Sequence, residues 1–145
     1  MRGPKDFRLS DGTVIDHLAV GTSTLALRVL KLPRDGPVTV GMNVPSKRHG
    51  HKDIVRMEGL ELKKAEIDRL VLLGRRITVS LVRNGDVANK VVLETPHRVE
   101  GILTCENPTC ITNQEEVTTA FHRIGEFPYR FRCHHCERTM SIKRS

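Results

Sequence analysis

The sequence predicts an α+β protein in two parts: an antiparallel sheet covered by two helices, then a small β-rich module that carries every cysteine. Three observations support this. Over residues 1–95 the apolar periodicity switches between strand-like and helix-like stretches in the order β-α-β-β-α-β-β. Cys105, Cys110, Cys133 and Cys136 crowd into the final 41 of 145 residues. Between the two, Pro96 and Gly101 bracket a short polar connector in ETPHRVEG, so the expected domains are 1–95 and 100–145.

The elements follow in turn. TVIDHL, after the turn signal Ser10-Asp11-Gly12, is rich in β-branched residues and reads as the first strand. TSTLALRVLKL reads as a helix, with Thr22 or Ser23 as its N-cap and Pro33 beyond its end. PVTVGMNVP and KDIVRMEG are two strands around the loop SKRHGHK. In KKAEIDRLVLLG, Ile67, Leu70 and Val71 form a helical stripe, and Gly74 sits where a C′ glycine belongs. ITVSLVRN alternates Ile77, Val79 and Leu81 against Thr78, Ser80 and Val82. Asn84-Gly85 then signals a tight hairpin, and DVANKVVLE returns as the partner strand. This order is ferredoxin-like with one extra strand, and it leaves one sheet face to bind a ligand, pair with another copy or stay wet.

Composition narrows the classes. At 38% hydrophobic and 28% charged the chain can fold, yet with 3% aromatics and no Trp its core must rest on Val, Leu and Ile. No apolar run is long enough to span a membrane and MRGPKDFRLSDG lacks a signal-peptide core, so the expectation is the cytoplasm, where thiols stay reduced. The formal net charge of +7, about +5 after four thiolates take up one Zn²⁺, suits anionic partners or a merely solvated basic surface.

TCENPTCI and FRCHHCE place two cysteine pairs on turn-like segments, which can present four sulfurs tetrahedrally to one Zn²⁺. Iron–sulfur, disulfides and free thiols are the alternatives. A complete Cys₄ shell has no open position for a substrate, which points to a structural ion in a zinc-ribbon-like fold. His122, His134 and His135 are then surplus to the ligand set. A module of about 45 residues is too small to fold on its core alone, and metal binding couples on the order of 10 kcal/mol to folding.

No catalytic constellation emerges. There is no G-x-S-x-G, P-loop or G-x-G-x-x-G, and Glu115-Glu116 lies in a polar loop. Asp16 and His17 are adjacent on a strand, where strict alternation would send them to opposite faces. The polar set of the first domain suggests binding instead. Lys47, Arg48, His49, His51, Lys52 and Arg56 cluster along SKRHGHKDIVR, and Lys90 interrupts an apolar strand, facing either solvent or an anionic ligand. Any phosphates must be held by side chains. A zinc-ribbon nucleic-acid binder is the competing class; alternation of Phe127, Tyr129 and Phe131 favours core over base stacking.

GTVIDH, GMNVPS followed by KDIVRME, and the C-terminal C-x₄-C…C-x₂-C resemble, in order and over nearly the whole chain, the regulatory chain of aspartate carbamoyltransferase. The resemblance implies a non-catalytic subunit of pyrimidine biosynthesis. Its N-terminal domain would bind ATP, CTP or UTP, and its zinc domain would dock on the catalytic chain. Regulatory chains would pair through their N-terminal domains, with no nucleic acid or membrane involved. It also implies roles for residues. Asp16 and His17 would lie near ribose and base, and Lys90 would contact phosphates. Arg56 stands where a lysine is familiar, and Leu9, Val14, Ser80, Val82 and Val87 would line the base pocket. Gly85 stands at a turn position where a tyrosine is familiar, which removes a large contact near the base.

Overall fold

The computed structural model describes residues 10–48 and 50–142. Leu9 and His49 lie outside the described residues. The chain forms two compact units divided between Glu94 and Thr95.

The first unit runs β1 (Gly12–Leu18), α1 (Ser23–Val29), β2 (Val38–Ser46), β3 (Gly50–Glu58), α2 (Lys64–Asp68), a 3-10 turn (Arg69–Leu72), β4 (Arg76–Arg83) and β5 (Asp86–Glu94). The sheet order is β2-β3-β1-β4-β5 with every neighbouring pair antiparallel, the ferredoxin-like arrangement plus an outer fifth strand. Ile15, Val55, Met57, Ile77 and Val79 line one face and pack against Ala26, Leu30, Leu70 and Leu73 from the helical side. As the composition requires, this core is aliphatic.

Asp53 holds three parts of this unit together. Its carboxylate is fully buried, and Oδ2 accepts from the backbone N–H of Gly21 (3.0 Å) and of Ser23 (3.1 Å) at the start of α1. Oδ1 accepts from the N–H of Asn43 on β2 at 2.9 Å. The N-cap expected from Thr22 or Ser23 is therefore supplied by β3. Thr22 does occupy the cap position, but its hydroxyl donates to the carbonyls of Ala19 (2.6 Å) and Leu73 (2.8 Å).

The second helix departs from its expected form. After five α-helical residues it tightens into the 3-10 turn, which still buries Leu70 and Val71. Gly74 is no left-handed C′ cap. It is glycine because a Cβ there would lie 2.8 Å from Ile77 Cγ1 and 3.1 Å from the His17 carbonyl oxygen. The Asn84-Gly85 turn is as expected: both residues have positive φ (53° and 80°), the requirement of a tight β-hairpin.

The second unit is a four-stranded antiparallel sheet in chain order: β6 (Arg98–Glu100), β7 (Ala120–Ile124), β8 (Arg130–Cys133) and β9 (Thr139–Ser141), with a short α3 (Ile111–Gln114) between β6 and β7. The stretch ETPHRVEG, expected as a connector, contains β6, and its Val99 pairs with Phe121 and is buried. Phe121 and Phe131 are buried, while Phe127 and Tyr129 are half-exposed and precede β8. Phe127, Tyr129 and Phe131 meet edge to face at 5.5 and 6.4 Å, and the Arg123 guanidinium caps the Tyr129 ring. The β-rich expectation for this unit holds.

Removing the Asp53 carboxylate strands several buried amides, each costing about 1–3 kcal/mol. Asp53→Ala is expected to lower stability by roughly 3 kcal/mol or more, read from the denaturant midpoint. Near α2, the carboxyl of Glu66 is held below its ordinary range by hydrogen bonds from Arg34 and from the Lys63 backbone N–H. A depressed folded-state pKa contributes stability above the unfolded pKa, lost as pH falls through the folded value. The difference between wild type and Glu66→Gln, about 0.5 kcal/mol at neutral pH, should therefore shrink in denaturation curves as pH falls below the ordinary carboxylate range and vanish once pH lies below the depressed folded-state value.

Candidate functional site

The sheet face opposite the helices gathers Val14, Arg56, Ser80, Val82, Val87 and Lys90 of the residues singled out in the first unit. Val14 of β1 lies opposite Arg56 of β3 and Ser80 of β4, and Ser80 lies opposite Lys90 of β5. Directly opposed residues share a face, so Arg56, Val14, Ser80 and Lys90 form one row across four strands. The next row on the same face joins Gly12, Val82 and Val87. An extra residue at Ala88 shifts the register between Leu81 and Val82, which keeps both Lys90 and Val87 on this face.

Asp16 and His17 reach that face together, against the expectation from strict alternation. Ile15 and Leu18 are three apart, yet both are buried in the helix-side core. The strand accommodates this with a bulge: Ile15 pairs with Val55, and Leu18 with Asp53 two residues earlier. His17 takes φ = 64°, and the two residues between the core positions are both turned to the open face. Asp16 Oδ1 accepts from its neighbour's N–H at 2.7 Å, and His17 Nδ1 lies 3.2 Å from the Thr78 hydroxyl.

Lys52 belongs to the same arrangement. Its Nζ is 2.8 Å from Asp16 Oδ1, with both side chains less than a tenth exposed. The sequence showed Lys52 only as part of a basic cluster. Its phase with Ile54 and Arg56 on β3 is the signal that separates it from Lys47, Arg48 and His51, which are exposed in or near the β2–β3 turn. Arg56 donates to Glu58 Oε1 at 3.1 Å. Lys90, Val87 and Val92 on the outer strand are exposed. Charge and apolar side chains thus share one face, exposed along β5, whose centre holds a buried ion pair. Neither of two shallow recesses of about 100 Å³, one beside the α1–β2 loop and one between α2 and β5, includes any of these residues.

In the second unit the four cysteine sulfurs all lie within 4.8 Å of one another. Cys105 and Cys110 come from the β6–β7 loop, where Asn113 Nδ2 donates to the carbonyls of Cys105 (3.0 Å) and Asn107 (2.7 Å). Cys133 ends β8 and Cys136 sits in the tight turn that follows, closed by the Glu137 N–H donating to the Cys133 carbonyl at 2.9 Å. The Cys105–Cys136 and Cys110–Cys133 sulfurs are 3.7 and 3.8 Å apart. A tetrahedron with metal–sulfur bonds of about 2.3 Å has edges of about 3.8 Å, so the four sulfurs fit a single ion. Disulfides are excluded by those same separations.

The thiols are electrostatically frustrated without a cation. Burial pushes Cys105 up to about 12. For Cys136 burial acts upward too, but the Arg138 backbone N–H and neighbouring donors bring it to about 7. Cys110 is lowered by the Thr112 hydroxyl, 3.2 Å from its sulfur, and by the Thr112 backbone N–H. A divalent ion offsets half the charge of the four thiolates and releases their protons on binding. The histidines stay out of this cluster: His122, His134 and His135 contribute no member to it.

Loss of the metal is expected to melt the second unit alone. After a chelator or a Cys105→Ser exchange, amide protons of β6–β9 should exchange freely while those of β1–β5 keep their protection.

The comparisons with known proteins agree with this arrangement. The family model of the aspartate carbamoyltransferase regulatory chain, allosteric domain, matches residues 7–94, and that of its metal-binding domain matches residues 97–145. The chain is 46% identical over 135 residues to the aspartate carbamoyltransferase regulatory chain of Pyrococcus horikoshii, covering 91% of this chain and 89% of that one. It is 50% identical over 136 residues to that of Korarchaeum cryptofilum (89% and 85% covered) and 40% identical over 134 to that of Methanocaldococcus jannaschii (92% and 90%). An allosteric domain, a metal-binding domain with a closed four-cysteine centre and relatives named as regulatory rather than catalytic chains lead to one assignment: the chain belongs to the aspartate carbamoyltransferase regulatory-chain family.

Proposed function

We propose that this regulatory chain binds nucleoside triphosphates (ATP, CTP and UTP) on the open face of its N-terminal domain, residues 1–95. It docks on the catalytic chain of aspartate carbamoyltransferase through its C-terminal domain, residues 100–145. The observation that carries the nucleotide reading is the row Arg56–Val14–Ser80–Lys90, with Asp16 and His17 delivered beside it by the bulge in β1. Such a row offers cations to phosphates, hydrogen-bonding groups to a ribose and apolar walls to a base. Lys90 and Arg56 take the phosphates; an arginine supplies a fork where a lysine would supply a point charge. Asp16 and His17 face the ribose and base, and Val14, Ser80, Val82, Val87 and Leu9 line the base pocket. Lys52 sets the orientation of Asp16.

The ion in the Cys₄ site is one Zn²⁺, in keeping with four thiolates in tetrahedral array. It is structural, since four protein ligands leave no position for a water or substrate. Regulatory chains pair through the N-terminal domain, and the complex acts in cytoplasmic pyrimidine biosynthesis; among the described residues no helix is long and apolar enough to cross a membrane. Regulation is then a coupling free energy of ~1–3 kcal/mol between the nucleotide face and a distant active site on the partner. The nucleic-acid reading finds less support, because the aromatic rings of the second unit are engaged with one another and with Arg123.

Two measurements test the reading. ATP or CTP should raise the melting temperature of the chain, and Lys90→Ala should remove that rise; a rise that survives the substitution unchanged defeats the phosphate assignment. Mercurial displacement of the metal should free the chain from its catalytic partner on a sizing column, and continued co-elution would argue against docking through the metal domain.

A further inference from the structure

The short helix α3 turns three consecutive side chains back onto the first cysteine loop. Asn113 Nδ2 donates to the carbonyls of Cys105 and Asn107, and Gln114 Nε2 donates to that of Pro108 at 2.8 Å. All of these bonds end on backbone oxygens. Thr112 is the exception: its Oγ1 lies 3.2 Å from the Sγ of Cys110, the residue that immediately precedes α3. A helical threonine commonly donates to the carbonyl four residues back. Here that carbonyl belongs to Pro108 and is engaged by Gln114. The Thr112 hydroxyl has no partner but the sulfur among the described residues. Cys110 is only 2% exposed, so water does not compete for that sulfur.

We propose that Thr112 is a positioning residue of the metal centre: its hydroxyl donates a hydrogen bond to the Cys110 thiolate and so tightens the hold of the Cys₄ site on its ion. The inference rests on reading the four cysteines as a metal centre and stands apart from the nucleotide face. A metal-bound thiolate carries no proton, so in the 3.2 Å contact the hydroxyl donates and the sulfur accepts. Four thiolates around one divalent ion leave excess negative charge in a cluster that is largely buried. A donor aimed at one sulfur offsets part of that charge, and burial strengthens such a bond. The neighbouring side chains act differently. Asn113 and Gln114 shape the loop backbone, whereas Thr112 alone of the three touches a ligand atom. Serine can replace it in this role, and valine, of the same shape without the hydroxyl, cannot.

The test uses the full chain in its zinc-loaded form and compares wild type with Thr112→Val, Thr112→Ser and Asn113→Ala. Zinc affinity is read by equilibrium competition with a chromophoric chelator, and the thiolate-to-metal charge-transfer band is read after exchange with Co²⁺. Thr112→Val should weaken zinc binding by at least about tenfold and move the band to lower energy. Thr112→Ser should keep both near wild type. Asn113→Ala, which removes no contact to sulfur, should leave the band in place. Wild-type affinity in Thr112→Val overturns the proposal. So does weakened binding with an unmoved band, which would make Thr112 a loop support only, or an equal band shift in Asn113→Ala. A wild-type chain that holds no zinc and takes up no Co²⁺ overturns the metal reading and the proposal together, which separates the two failures.

Discussion

The first unit depends on a carboxylate placed where no solvent can reach it. Asp53 sits on the helix-side face of β3 and gathers amides from the loop before α1 and from β2. Buried backbone donors need partners, and α1 offers no side-chain cap of its own. Without Asp53 the start of the helix, the kink at Asn43 and the end of β1 would have no common anchor. Thr22 and Gly74 complete the arrangement from the other side. The threonine hydroxyl and the Ala19 N–H both donate to the Leu73 carbonyl, and Gly74 lets that turn approach the backbone of His17. The segment Asp16–Thr22 is therefore clamped on two sides.

That clamp explains how Asp16 and His17 share a face. A bulge with a positive-φ histidine is locally unfavourable, by on the order of 1 kcal/mol for a non-glycine residue, and persists only where its surroundings over-determine it. Here the surroundings are the buried side chains of Ile15 and Leu18 below and the ion pair of Asp16 with Lys52 above. The open face is thus pre-formed at its centre and exposed at β5.

The second unit is governed by a different constraint. Its buried apolar residues, chiefly Val99, Ala120, Phe121 and Phe131, make a core too small to fix loops as long as the one between β6 and β7. Four thiolates within a few ångströms of one another repel, and a bound cation offsets that repulsion. The metal and the small core each supply what the other lacks. Asn107 and Asn113 brace the first cysteine loop, which limits the reorganisation needed on metal binding.

Much of this was legible in the chain itself. Periodicity established the element order, Asn84-Gly85 marked the hairpin, and the paired cysteines defined a closed metal centre, because these signals rest on local geometry and ligand chemistry. Strand alternation likewise placed Ser80 with Val82. What tertiary structure alone decided was the outcome where local rules compete. Gly74 is small because a neighbouring backbone passes close by, and α1 is capped by Asp53 from a strand thirty residues away in sequence. Lys52 is separated from its basic neighbours by the partner it meets across the sheet, and β6 formed in a polar connector because β7 lay beside it. The spacing of Ile15 and Leu18 hinted at the bulge, but only packing both into one core forced Asp16 and His17 onto the same side. Long-range burial overrides local pattern because it removes more apolar surface from water than a strained residue costs.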